Sequence, residues 1–162
     1  MSIKINIGSL KEGSQQIELE TDPAELTLEK STGWRTKGNV KVILDLFKTA
    51  NQLDIKAKII GLLELECDRC LDFYEKPIER VFELVYVLKS PREEPVNDDY
   101  YRTYDPNMRT IDITNDIKEM VVLAVPMKRV PQEKEDGSCT WCGKTKEYWH
   151  LFIVDEEELE NK

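Results

Sequence analysis

Histidine and cysteine are scarce in this chain, with one and four among 162. The lone His150 sits in Glu147-Tyr148-Trp149-His150-Leu151 without a serine or acidic partner at a recognisable spacing, so it reads as a partly buried histidine and not as a general base. No run of 18 apolar residues occurs, which excludes a spanning helix of ordinary length. The opening residues 1–13 lack the continuous apolar stretch of a signal peptide, and a cytoplasmic protein away from membranes is expected. Positive charge is also in deficit: 23 basic against 32 acidic side chains give a net charge of −9, which opposes indiscriminate binding to nucleic acid or anionic membrane. No DNA partner is expected, and any RNA contact has to use a local basic patch. Nothing in the pattern fixes an oligomeric state.

Apolar residues are in good supply. Leu, Ile, Val and Phe total 44, enough to remove the chain from the disordered class, and its length suits a single domain spanning 1–162. Ile3, Ile5 and Ile7 alternate with polar residues, and Ile17 to Glu20 resumes the period of two after Gly13, which predicts two short strands joined by a turn. Asp22-Pro23 suits the start of one or two helical turns with Leu26 and Leu28, and 31–39 reads as a loop. Val40, Val42, Leu44 and Leu46 share one strand face. Ile55, Ala57, Ile59, Gly61, Leu63, Leu65 and Cys67 share one face of a longer strand, and Val81, Leu84, Val85 and Val87 mark a third after a bridge containing Pro77. The connections suit an antiparallel meander.

Residues 90–110, with three prolines and Tyr100, Tyr101 and Tyr104, read as a loop. Thr114 suits a helix N-cap with Asp116 in the first turn. Ile117, Met120, Val121 and Ala124 form one helical face, and Pro126 ends the helix, giving about 114–124. A knuckle at 137–144 and an acidic tail at 155–162 follow. The fold class expected is α+β, an antiparallel twisted sheet or partly closed β-barrel with one main C-terminal helix packed on it.

All four cysteines fall into two C-x-x-C pairs, Cys67/Cys70 and Cys139/Cys142. In a reducing compartment such pairs read as metal ligands or redox groups before structural disulfides. Two knuckles supply the four soft ligands of a tetrahedral zinc site, and Gly137 and Gly143 permit a tight backbone around the second. Against this, 68 residues lie between Cys70 and Cys139, far more than in a compact zinc ribbon. Three readings stay open: one shared zinc site, thiols without metal, and a catalytic or sensing disulfide. A thioredoxin-type motif needs a helix start after a strand, which neither pair has. Gly143-Lys144-Thr145 lacks the first glycine of a phosphate loop, because Ser138 stands at its place. Arg69, Lys128, Arg129, Lys144 and Lys146 are the candidate RNA contacts, with Arg69, Lys144 and Lys146 gathered into one basic spot if zinc joins the knuckles.

Leu65-Glu66-Cys67-Asp68-Arg69-Cys70-Leu71 resembles the cysteine-x-arginine-cysteine-leucine signature of the bacterial large ribosomal RNA subunit accumulation (YceD) family. Ile111-Asp112-Ile113, the helix with Glu119, Leu123-Ala124-Val125-Pro126-Met127, the Cys139 to Gly143 knuckle and Leu10-Lys11-Glu12-Gly13 are similar to further family features in the same order. The resemblance implies a cytoplasmic, non-catalytic factor for accumulation of large-subunit ribosomal RNA, partnered by that RNA or by a ribosomal or assembly protein. Readings of another kind are a thiol redox or zinc-dependent enzyme and a zinc-stabilised protein adaptor. Many family members carry extra cysteines after the helix proline, where this chain has Met127-Lys128-Arg129-Val130-Pro131. A metal in this chain therefore has to recruit Cys67 and Cys70.

Overall fold

A computed structural model describes residues 2–22, 33–90, 92 and 94–144. The expected helical turns after Pro23, together with Lys146, His150 and the acidic tail, lie outside the described residues. In chain order the elements are β1 (Lys4–Asn6), a single 3-10 turn (Ile7–Ser9), β2 (Gly13–Thr21), β3 (Trp34–Thr36), β4 (Val40–Lys48), β5 (Gln52–Glu66), β6 (Phe73–Leu88), β7 (Tyr101–Tyr104), β8 (Thr110–Asp112) and α1 (Thr114–Ala124).

The main sheet has the order β2-β4-β5-β6-β7, with β3 continuing beside β5 past the end of β4, and it is open, not closed into a barrel. Its inner face follows the period of two: Val40, Val42, Leu44 and Leu46 of β4 and Leu53, Ile55, Ala57, Ile59, Leu63 and Leu65 of β5 are all buried. The outer face carries cross-strand pairs of opposite charge, Lys41–Glu18 at 2.8 Å and Lys58–Glu79 at 2.7 Å, with Lys56–Glu83 at 3.5 Å. These exposed pairs add little stability, but they make that face soluble in water while the other packs.

Helix α1 covers the inner face with Ile117, Val121 and Ala124, preceded by the buried Ile113. Thr114 stands at the expected start, but its hydroxyl serves the neighbouring strand: Oγ1 accepts from the Ile3 N–H at 2.7 Å and donates to Asp112 Oδ1 at 2.5 Å. Thr114 is thus the first helical residue and not the N-cap; the cap position falls on Ile113, which makes no side-chain cap bond, while Asp112 also accepts the Thr114 N–H, and these bonds hold the Asp112 pKa below the ordinary value.

Four features differ from the expectation, the first being that Trp34–Thr36, inside the segment read as a loop, forms β3 and pairs antiparallel with β5. Ile3, Ile5 and Ile7 are buried on one face, but β1 pairs antiparallel with β8 and not with β2. The 3-10 turn, with Asn6 Oδ1 accepting the Gly8 N–H at 3.0 Å, directs the chain away from a hairpin. The 90–110 segment contains β7, which pairs parallel with β6 and breaks the pure meander. Finally, β6 runs straight through Pro77, whose buried face is Tyr74, Ile78, Phe82, Leu84 and Tyr86, so Val81 faces outward. The Val85 N–H bonds outward to the Tyr100 carbonyl, and by the alternation of the strand the missing N–H of Pro77 falls on that same side, away from β5.

One ion pair ties β7 to the helix. Arg102 donates to both carboxylate oxygens of Asp116 at 3.0 and 2.6 Å and to the Tyr86 hydroxyl at 3.1 Å, with Asp116 buried. Asp116→Ala is expected to cost about 3 kcal/mol, because it leaves a largely buried guanidinium unpaired. Urea unfolding should show a lower midpoint, with a smaller loss for Asp116→Asn. An unchanged midpoint in both variants would show the pair to be idle.

Candidate metal centre

The β5–β6 pairing ends at Glu66 opposite Phe73, and the first C-x-x-C forms the tip of that long hairpin. Its backbone is set by the Cys67 N–H bonded to the Asp72 carbonyl at 2.9 Å and the Leu71 N–H bonded to the Cys67 carbonyl at 2.9 Å. The second pair repeats the pattern: the Cys139 N–H bonds to the Lys144 carbonyl at 3.0 Å and the Gly143 N–H to the Cys139 carbonyl at 2.9 Å. In each, the residue after the second cysteine has left-handed φ, +62° at Leu71 and +70° at Gly143. Glycine takes that conformation freely, whereas leucine does so at a cost of roughly 1–2 kcal/mol. The two knuckles therefore share one backbone form although only the second has the residue that favours it.

Backbone N–H groups point at the sulfurs. Arg69 N lies 3.4 Å from Cys67 Sγ, and the Asp72 and Lys144 N–H groups act on Cys70 and Cys142. Such donors favour thiolate. Cys67 and Cys139 are buried, while Cys70 and Cys142 are partly exposed.

The segment after α1 brings the second knuckle to the first. Pro126 stops the helix, and residues 127–144 cross to the hairpin tip. There the two residues inside the first knuckle act as a two-pronged clamp. The Asp68 N–H bonds to the Arg129 carbonyl at 2.8 Å, the Arg129 N–H returns to Asp68 Oδ2 at 2.7 Å, and the Arg129 guanidinium meets Asp68 Oδ1 at 3.1 Å. Arg69, itself buried, pairs with Glu133 and donates to the Gly137 carbonyl at 3.3 Å. Gly33 completes the seat. A Cβ there would stand 2.2 Å from Arg129 Nη1, and its φ is +91°.

All four thiols consequently come close. Cys142 and Cys67 act electrostatically on Cys70, and Cys70 and Cys139 on Cys142. Burial pushes the Cys70 thiol up to about 12; the Asp72 N–H opposes this, and the adjoining thiols of Cys142 and Cys67 add to it. Burial acts the same way on Cys142, yet the Lys144 N–H and the thiols of Cys70 and Cys139 outweigh it and hold Cys142 below the ordinary thiol range. The nearby Tyr74 phenol is pushed up to about 12, first by burial and then by the negative charge of Cys67 and Asp68. Among the described residues, no three His, Cys, Asp or Glu side chains are already arranged around a metal-sized point. What the fold supplies is the donor set: four soft sulfurs on two matched knuckles, with N–H groups directed at three of them.

Of the candidate RNA contacts, Arg69 and Arg129 lie in the clamp, Lys128 lies 3.9 Å from Glu133, Lys144 closes the second knuckle, and Lys146 lies outside the described residues. Sequence reasoning missed the carboxylates Asp68 and Glu133 as partners of these cations, and it missed Leu71 and Tyr74. The readable signal for Leu71 was positional, since it follows Cys70 as Gly143 follows Cys142. Trp141 occupies in the second knuckle the place Arg69 occupies in the first, and it is 60% exposed.

The family model described as Large ribosomal RNA subunit accumulation protein YceD matches residues 55–160, a span that runs from β5 through both knuckles. No curated protein and no solved structure matches the chain. Among the described residues no helix is long and apolar enough to cross a membrane.

Thiol reactivity gives a direct check on the arrangement. In metal-free protein at pH 8, iodoacetamide should modify Cys142 at least about tenfold faster than Cys70, since the thiolate is the reacting form. Peptide mapping by mass spectrometry reads the order. Equal rates, or Cys70 first, would contradict the environments described.

Proposed function

Because the chain belongs to the YceD family of large ribosomal RNA subunit accumulation proteins, we propose that it supports accumulation of large-subunit ribosomal RNA as a non-catalytic assembly factor of the cytoplasm. We propose further that one zinc ion, held by Cys67, Cys70, Cys139 and Cys142, fastens its C-terminal segment to the β5–β6 tip. The observation that carries the functional reading is the family match, which encloses both knuckles and the helix between them. The meeting of two knuckles of equal backbone form supports the zinc reading. Zinc takes four thiolates at about 2.3 Å in a tetrahedral site, and the backbone that such ligands need is in place at both knuckles, leaving side-chain rotation and loss of thiol protons to complete the set. A metal bound there would lock the fold and contribute no reactive position, because a four-protein-ligand site is closed.

The partner favoured is a basic ribosomal or assembly protein. The chain's net charge is −9, and Arg69, Arg129 and Lys128 each face a carboxylate of the chain itself. A surface of that kind repels a phosphate backbone and attracts a cationic protein. Crosslinking in cells, followed by identification of what is attached, tests this choice: a basic protein supports it, and ribosomal RNA as the sole adduct overturns it.

Two measurements test the rest. Protein purified without chelator should hold about one zinc per chain, and Cys139→Ser should lose it; a fully folded, zinc-free wild type would sink the metal reading. Cells lacking the protein should show a lower ratio of large- to small-subunit ribosomal RNA, restored by the wild-type chain and not by a Cys70→Ser, Cys142→Ser variant. An unchanged ratio on removal would remove the assembly role.

A further inference from the structure

Tyr74 carries a hydroxyl that no described residue satisfies. The residue is 5% exposed, and its Oη is the buried side-chain oxygen that has no hydrogen-bond partner among the described residues. Leaving such a group unpaired costs roughly 1–3 kcal/mol, so its presence where phenylalanine would pack equally well calls for a cause.

Its position supplies one. Tyr74 lies directly opposite Leu65 in the β5–β6 pairing, and the pairing continues outward to Cys67 and Asp72 through the Cys67 N–H. Cys67 is therefore the diagonal neighbour of Tyr74, and both side chains are buried. An aromatic side chain spans that separation. Charged and titratable groups that act on the phenol include Cys67, Asp68, Arg129 and Cys139. Asp68 and Arg129 are bonded to each other, and the other two are buried sulfurs, one from each knuckle.

A thiol is a weak acceptor, whereas a thiolate is a strong one. Four thiolates on one dication carry a net charge of −2, and hydrogen-bond donors beyond the ligands offset it and orient them. Cys67 already has the Arg69 N–H directed at it.

We propose that Tyr74 is a positioning residue of the metal centre, its O–H donating to the metal-bound thiolate of Cys67. The inference rests on the four-thiolate reading above. It gives the β6 strand a part in a site whose ligands come from the β5–β6 tip and the segment after α1, and it makes the unpaired hydroxyl a prepared donor.

The test uses the full chain, stripped of metal and titrated with Co(II), whose thiolate charge-transfer absorption reports the sulfur environment. Tyr74→Phe keeps the ring and removes only the hydroxyl. Affinity for Co(II), and for Zn(II) by chelator competition, should fall about tenfold with a shifted charge-transfer band. Metal-free Tyr74→Phe should unfold at the same urea concentration as metal-free wild type or a higher one, because an unpaired buried group has been deleted. That opposition separates donation from packing, which would weaken both states together. Tyr104→Phe, another buried tyrosine, should leave metal affinity unchanged. Equal Co(II) affinity in wild type and Tyr74→Phe overturns the role of Tyr74 alone, as does a variant weakened equally with and without metal. A wild type that binds no Co(II) overturns the four-thiolate reading and this inference with it.

Discussion

The antiparallel register between β5 and β6 is the constraint on which the rest depends. It runs unbroken from Gln52 opposite Val87 to Glu66 opposite Phe73. One fixed register sets the buried face of both strands, because a slip by one residue would turn every inner side chain outward. The same register carries Cys67 to the tip with its backbone already closed onto Asp72. Hairpin and knuckle are thus one element: the core packing that resists slippage also resists displacement of the first two thiols.

The clamp at that tip converts local chain geometry into a long-range connection. Asp68 and Arg69 occupy the two positions that a C-x-x-C turn leaves unassigned, and they hold Arg129 and Glu133 respectively. Each is an acid and a base facing its opposite, so the tail segment is read by charge order as well as by shape. The buried Arg69 also satisfies the Gly137 carbonyl just before the second knuckle. Breaking the Arg69 contact leaves a charge in a place where water reaches it poorly, whereas the more exposed Asp68–Arg129 contact adds paired backbone and side-chain hydrogen bonds, and together they fix the course of a segment with little secondary structure of its own.

Much of this was legible in the chain and some was not, for separable reasons. The faces of β4 and β5 and the buried stripe of α1 follow from periodicity, since burial on one side imposes a period of two or of 3.6. The partner of β1, the parallel β7 and the short β3 depend on which distant strand is adjacent, and local alternation is silent on that. Val81, Leu84, Val85 and Val87 marked β6 as a strand without fixing its inner face, because β6 bears apolar residues on both sides, and burial of Phe82, Leu84 and Tyr86 sets the parity. The thiols were legible as two pairs, but their meeting was not, with 68 residues between them. Arg69 and Arg129 looked like surface cations because a charge shows its role only once its partner is placed. Leu71 was unreadable by propensity, since leucine seldom signals left-handed backbone.

The interval between the knuckles has a temporal meaning as well as a spatial one. During synthesis the 68 residues that separate Cys70 from Cys139 take roughly 3–14 s to emerge at about 5–20 residues per second. The β5–β6 hairpin is complete early in that window, and its tip then holds two thiols and the open prongs Asp68 and Arg69 with no tail to grip. Whatever the nascent tip meets in those seconds competes with the chain's own later segment. Closure of the second knuckle onto the first therefore reports that everything between them has been made and folded.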